Sequence, residues 1–302
     1  MTQASALLYL SAETSIHAGS GQSVAGIDLP IQREIHTQWP CVYGSAVKGA
    51  MRSRAFMQAQ NGGTAVDIVE LFGPDHAAAA GERDNSHAGA LQIGDARLLL
   101  LPVRSLNTCF KWVTCPAVLR RLARDAERMG VPLAVSVDLN PQELEAWSAA
   151  AGDAVFLEEF RLAASAKPVV QAWAQALAKV TGLTETELQE RLLVVHDDVF
   201  SFLARHATAV NAHIAIEAAS KTVRPGALWY EETLPPESVL YVPVNATASR
   251  RKGGQRTGPQ VLDELEQLFA NGQRWLQLGG NETTGMGWCR VSVQRSQAGS
   301  TQ

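Results

Sequence analysis

Leu7-Leu-Tyr-Leu-Ser-Ala-Glu-Thr-Ser-Ile-His-Ala-Gly-Ser-Gly21 carries an apolar run straight into a glycine-rich loop. Residues 7–10 with Ala12 read as a first strand. The far end of the chain has a matching arrangement. Trp275-Leu-Gln-Leu278 enters a second glycine loop, Gly279 to Gly287, after which Cys289, Val291 and Val293 alternate with polar residues as on a half-buried strand. First and last strands are thus each joined to a glycine loop. Between them, Val47, Met51 and Ala55 fall on one helical face behind Ser45, which reads as the N-cap, and Asn61-Gly62-Gly63 should end that helix. A short helical piece over 66–72 leads into a flexible Ala/Gly/charge-rich loop at 73–89. Strands are expected at 90–93 and 96–103, a helix at 117–129 behind Pro116, strands at 210–216, 228–231 and 239–244, and a helix at 259–269. The stretch 141–207 reads as mostly helical by period, anchored by aromatics such as Trp147 and Trp173. The order describes an α+β chain, one domain with inserted subdomains, and a split βαβ sheet fits it.

The 302 residues are 46% hydrophobic and 19% charged, the balance of an ordinary globular protein. There is no signal peptide and no apolar run of membrane-span length, so the expected location is cytoplasmic. Cys41, Cys109, Cys115 and Cys289 have no framework spacing and are expected as reduced thiols. A net charge of −4 argues against bulk electrostatic capture of nucleic acid, but the charges are segregated. Residues 241–260 carry only Arg250, Arg251, Lys252 and Arg256, whereas residues 138–159 carry six acids and no base. Each alone is most simply a solvated surface segment. A polyanion would use the first and avoid the second.

Several chemistries are excluded by their spacing. Gly19-Ser20-Gly21 lacks the Walker pattern, and the loop 279–287 lies between strands rather than before a helix, so neither is a nucleotide fingerprint. His17, His36, His76, His87, Cys41, Cys109 and Cys115 form no zinc spacing, and no Gly-x-Ser-x-Gly elbow occurs. What remains is main chain that glycine lets approach an anion closely, a helix start at Ser45 with Lys48 in its first turn, and the basic loop. Asp28 sits between Ile27 and Leu29 at the end of the first glycine loop. Before Pro30 it fits a plain turn acid; after His17, on a scaffolded loop, it fits chemistry. The residues alone leave both open.

His17-Ala-Gly-Ser-Gly21, Asp28-Leu-Pro-Ile-Gln-Arg-Glu34, Gly44-Ser-Ala-Val-Lys-Gly49, Phe72-Gly-Pro-Asp75, Gly94-Asp-Ala-Arg97, Pro102-Val-Arg-Ser105, Trp112-Val-Thr-Cys-Pro116 and the closing Gly279-Gly-Asn-Glu-Thr-Thr-Gly-Met-Gly-Trp288 occur in one order. Together they resemble the RAMP proteins of CRISPR systems, in particular the repeated backbone subunits of type III-B (Cmr) effector complexes. The resemblance spans residue 7 to about 293 and is least distinctive in the middle. It implies a ferredoxin-like (RRM-type) core with a helical insertion at about 141–207 and a β-hairpin thumb at about 211–232. It also implies partners: crRNA, complementary target RNA, further copies of the chain in a filament and the other Cmr subunits, with no membrane. By position, Asp28 matches the family's catalytic acid for metal-dependent cleavage of target RNA, holding Mg²⁺ or Mn²⁺ or helping to deprotonate a 2′-OH. His17 is a second candidate there, and Tyr230, Glu231 and Glu232 are weaker ones. Gly19, Ser20, Gly21, Ser45, Lys48, Arg52, Arg250, Arg251 and Lys252 are assigned to RNA binding. The family helix often has Ser-Leu-Lys-Gly-Ala-Leu-Arg, where this chain has Ala46 and Val47 before Lys48. Two other readings stand beside this one. In one the chain is a crRNA-binding structural subunit without catalysis; in the other it is a metal-dependent phosphoesterase that needs no guide.

Overall fold

The computed structural model describes residues 3–21, 26–62, 66–74, 87–150 and 152–297. Most of the loop expected at 73–89, together with Gly63 and residues 22–25, lies outside the described residues. In chain order the elements are β1 (Ala4–Ala12), β2 (Cys41–Val42), α1 (Gly44–Gln60), α2 (Ile68–Phe72), β3 (Leu91–Ile93), β4 (Ala96–Arg104), β5 (Phe110–Thr114) and α3 (Pro116–Arg128). Then follow β6 (Glu145–Ser148), β7 (Ala154–Leu157), β8 (Phe160–Ala166), α4 (Pro168–Thr181), α5 (Glu185–Arg191), β9 (Leu192–Val195) and α6 (Asp197–His206). The chain closes with β10 (Ala209–Ile216), β11 (Val223–Thr233), β12 (Val239–Ala246), α7 (Gly258–Gln267), β13 (Trp275–Gln277) and β14 (Trp288–Arg295).

Twelve strands join one mixed sheet in the order β13-β14-β1-β12-β4-β5-β9-β6-β8-β7, with β2 added to β4 and β3 to β12. At its centre β14, β1, β12 and β4 run antiparallel, with Tyr9 opposite Tyr241. Residues Ala6 to Leu10 of β1 are all essentially inaccessible, so helices cover both faces there. That double burial is why the opening run is continuously apolar instead of alternating. On β14, Cys289 and Val291 are buried on one face, while Arg290 between them meets Gly182 at the end of α4 on the other. α7 packs on β12 and β1.

The face of α1 reads as expected: Val47, Met51 and Ala55 are its buried residues after Gly44. Its start does not. The N-cap is Tyr43, without a side-chain cap, and Ser45 is an exposed residue one turn position inside the helix. The Gly44 N–H donates to Asp95 Oδ1 at 2.7 Å, so a carboxylate from the β3–β4 connection does the capping. A side chain at Gly44 would put its Cβ 2.6 Å from the Ile93 carbonyl oxygen, which is why glycine stands there.

The middle segment departs further from expectation. Residues 141–207 hold three helices but also β6, β7, β8 and β9, which extend the sheet beyond β5. β9 lies parallel to β5 and antiparallel to β6, both far from it along the chain, whereas β7 and β8 form a tight hairpin. The acids of 138–159 do meet a base, since Arg104 binds Glu158 bidentately at 3.0 and 2.5 Å. By contrast the hairpin expected at 211–232 is present as β10 and β11, paired antiparallel in a two-stranded sheet of their own. Its outer part exposes Ile214, Ile216, Val223 and Leu228, and His213 stacks on Trp229.

All four cysteines are free. Burial pushes the Cys41 and Cys289 thiols up to about 12 and raises Cys115 well above its ordinary value. Thiolate is the reactive form, so only the exposed Cys109 should react in the native state. Mass spectrometry after iodoacetamide treatment at pH 8 should find one modified cysteine per folded chain, and all four after unfolding. Native modification at Cys41 or Cys289 would contradict the packing.

Candidate active site and nucleic-acid interface

The root of the hairpin organises the site. In a strand, residues two apart present their amide and carbonyl groups to the same edge, about 7 Å apart along the chain. On β11, Tyr230 and Glu232 face the segment 28–31. Tyr230 N–H donates to Asp28 Oδ2 at 2.8 Å, Leu29 N–H to Tyr230 O at 3.0 Å, and Glu232 N–H to Leu29 O at 3.0 Å. Further along that edge, His17 Nδ1 lies 2.8 Å from the Glu232 carbonyl oxygen. Asp28 is exposed and His17 is buried, 8% accessible. The two residues sequence reading set apart as chemical therefore hang from one strand edge.

The remaining candidates of that region are structural in their contacts. Tyr230 is exposed, but Glu231 and Glu232 are each only 3% accessible. Glu232 accepts from Ile31 N–H at 3.0 Å and Thr208 Oγ1 at 2.7 Å, and it pairs with the Arg33 guanidinium. Arg33 also donates to Ala204 O at 2.9 Å, which ties α6 to the same knot. Sequence reading missed Arg33; an arginine inside an apolar-flanked motif was the available signal. Glu231 accepts from Asn281 Nδ2 and lies 3.6 Å from His17 Nδ1.

The first glycine loop is less open to a ligand than its composition implies. Gly19 bridges to Ile31, Ser20 N–H donates to Pro30 O at 2.9 Å, and Gln32 Nε2 donates to Gly19 O at 3.0 Å. The Ser20 amide is thus committed to the chain itself. The two glycine loops, distant in sequence, meet at His17: Gly280 N–H donates to His17 O at 2.8 Å. Gly279 has φ +83°, and a Cβ there would lie 2.2 Å from that oxygen. No side chain fits the contact.

Among the described residues no three His, Cys, Asp or Glu side chains gather as a ligand set. Of the carboxylates at this strand edge, Asp28 is exposed while Glu231 and Glu232 are buried, and Mg²⁺-type ions are commonly held by one or two carboxylates together with phosphate and water. The donor chemistry fits such an ion only in company with RNA.

The family model describing the RAMP superfamily matches residues 9–290. The chain belongs to the RAMP superfamily. It is 32% identical over 286 residues to the CRISPR system Cmr endoribonuclease Cmr4 of Pyrococcus furiosus, covering 93% of this chain and 92% of that protein. The CMR subunit Cmr4 of Saccharolobus solfataricus is 26% identical over 310 residues, 92% and 93% of the two chains. Among solved structures, oligomeric Cmr4 from Pyrococcus furiosus aligns with a TM-score of 0.73 at 27% identity, over 97% of this chain and 99% of that one. The type III-B Cmr-beta complex bound to cognate target RNA contains a chain of the same fold, with a TM-score of 0.71 at 20% identity over 97% of both.

Within this RAMP chain the basic candidates divide into two groups. Lys48, on α1, is half-buried; burial pushes its ammonium down, and the neighbouring Arg52 and Arg250 charges push the same way. Three cations so gathered are unfavourable for one another and favourable for an anion. Arg52 donates to Gly73 O at 3.1 Å and Arg250 to Thr247 Oγ1 at 3.3 Å, which leaves both charges without a carboxylate in those bonds. The rest of the basic loop is otherwise engaged. Arg251 pairs with Asp67 at 3.4 Å, and Arg256 is bound by Glu70, Glu264 and Asp67. The loop expected as a uniform basic stretch is therefore partly neutralised, because acids from α2 and α7 fold against it. No helix among the described residues is long and apolar enough to cross a membrane.

Proposed function

We propose that the chain is a repeated backbone subunit of a type III-B CRISPR effector complex that binds crRNA and cleaves complementary target RNA. The observation that carries the reading is the exposed Asp28 carboxylate, fixed by a main-chain amide at the root of a projecting hairpin. Likeness over nearly the whole chain to a protein named as a Cmr endoribonuclease supports it. The order β14-β1-β12-β4, antiparallel, with α1 and α7 following β1 and β12, supports a ferredoxin-like core. In this reading the hairpin is the thumb, and its exposed Ile214, Ile216, Val223 and Leu228 suit insertion between bases.

The chemistry needs little from the protein beyond placement. A nucleotide unstacked from its neighbour can bring its 2′-OH in line with the adjacent phosphorus. The 2′-O–P bond forms as the P–O5′ bond breaks, leaving a 2′,3′-cyclic phosphate and a 5′-hydroxyl, with solvent returning the proton to O5′. In this reading Asp28 takes the proton from the 2′-OH or holds a divalent cation, which when bound would stabilise charge developing on the phosphate. Lys48, Arg52 and Arg250 hold the guide backbone. Further copies of the chain and other Cmr subunits complete the assembly.

The test is a reconstituted complex given an end-labelled RNA complementary to its guide, with Mg²⁺ or Mn²⁺ present. Products at even intervals support the reading. Cutting by the isolated chain without guide, or no cutting by any assembly containing it, would refute it. Lys48→Ala should weaken guide binding across sequences alike. It should also make the plot of log affinity against log salt shallower by about 0.7, the value for one phosphate contact on a single strand. An unchanged slope in a filter-binding salt series would remove Lys48 from the interface.

A further inference from the structure

The partners of His17 Nδ1 are the Glu232 carbonyl oxygen at 2.8 Å and Glu231 Oε1 at 3.6 Å. Both can only accept a hydrogen bond, so Nδ1 carries the proton and Nε2 of the neutral ring keeps its lone pair. Gly19 keeps that side clear, since a Cβ there would lie 3.0 Å from Nε2. The ring nevertheless faces a choice. Glu231 is a buried carboxylate, and a buried carboxylate needs donors. Left without another, it is the stronger acceptor for Nδ1–H and would draw the ring away from the carbonyl.

Asn281 removes that competition by donating Nδ2 to Glu231 Oε1. The residue is itself held firmly. It adopts φ 60° and ψ 30°, and its carbonyl accepts from Thr284 N–H at 3.0 Å, Met286 N–H at 3.2 Å and Thr284 Oγ1 at 2.9 Å. The adjoining Gly280 grips the His17 main chain. The closing loop thus holds the backbone of the first loop's histidine and occupies the carboxylate beside its ring.

We propose that Asn281 is a positioning residue: by satisfying Glu231 it keeps His17 Nδ1–H on the Glu232 carbonyl and so presents Nε2 as an acceptor on the strand edge shared with Asp28. The proposal rests on the cleavage reading for its purpose but not for its test. The first readout is NMR of the full RNA-free chain with ¹⁵N-labelled histidine, His17 being assigned through His17→Gln. The wild type should show a protonated Nδ1 and an unprotonated Nε2 at alkaline pH. Asn281→Gly, which retains the positive φ at no steric cost, should move the Hδ1 resonance downfield as the bond passes to Glu231. In the assembled complex the same variant should lower target cleavage on the order of a hundredfold, as for a misplacement near 1 Å, with RNA affinity retained. Asn281→Gly must melt like the wild type; if it does not, Asn281→Asp, which repels Glu231 instead of donating to it, should show the same spectral change. A wild-type ring protonated at Nε2, or spectra unchanged in both variants, would overturn the proposal. Spectra as expected in a complex that binds target without cutting it would remove the cleavage reading and leave the positioning one standing.

Discussion

Asp28→Ala should stop target cleavage while leaving the chain folded, assembled and loaded with guide RNA. Among the described residues the side chain makes one bond, from Tyr230 N–H, and its segment is held independently of it: Leu29 to Tyr230, Glu232 to Leu29, Ser20 to Pro30 and Ile31 to the Glu232 carboxylate. Losing one exposed hydrogen bond costs roughly 1–2 kcal/mol. Losing the acid of a general acid–base step costs roughly 10²- to 10⁴-fold in rate. Asp28→Asn sharpens the contrast, because its side-chain oxygen can still accept from Tyr230 while the charge is gone. The measurement is the product ladder alongside co-purifying guide RNA. Full cutting by either variant would return Asp28 to the standing of a turn residue and leave the chain an RNA-binding scaffold.

Glu232→Ala should act through the fold instead. The removed carboxylate joins Ile31 and Arg33 of one segment to Thr208 of another, and the residue is 3% accessible. Its partner Arg33 is largely buried, with 16% of its side chain accessible. Deleting one member of a buried ion pair strands the other and typically costs about 3–5 kcal/mol. For a chain of this size that lowers the melting temperature by roughly 6–15 °C. Because the knot joins the hairpin root to the Asp28 segment, cleavage should fall as well, even below the melting transition. Calorimetry with and without the substitution reads the first effect. A change under about 1 kcal/mol would mean that the pair is solvated and the root is not locked by it.

Much of this was legible beforehand because it was local. The continuous apolar run at Leu7–Leu10, the 47/51/55 face of α1 and Pro116 at the start of α3 each bring their reason with them. What stayed hidden depends on pairing partners. β8, Phe-Arg-Leu-Ala-Ala-Ser-Ala, is rich in good helix formers, and its strand state comes from pairing with β6 and β7. Ser45 had the chemistry of a cap, but the turn before α1 passes beside Asp95, which does the work from the other side of a strand connection. Adjacent glutamates at 231 and 232 read as weaker site candidates, and nothing local marks them as buried. They are buried because Arg33, Thr208 and Asn281 converge on them from three separate regions. At the site, the residue types were visible and their grouping was not, since a strand edge is not a sequence pattern.

β11 runs without interruption from the exposed arm at Val223 to its buried end at Thr233. Its outer half stands in solvent with one paired neighbour, while its inner half is nailed to the body through Glu231 and Glu232. Such a strand behaves as a cantilever: load applied to the arm bends it least at the clamp and is resisted there. The Tyr230 amide, which holds the Asp28 carboxylate, is the last residue before the clamp. A hairpin pushed from outside would therefore flex outward of Asp28, so that its carboxylate stays registered to the protein body and not to the moving arm.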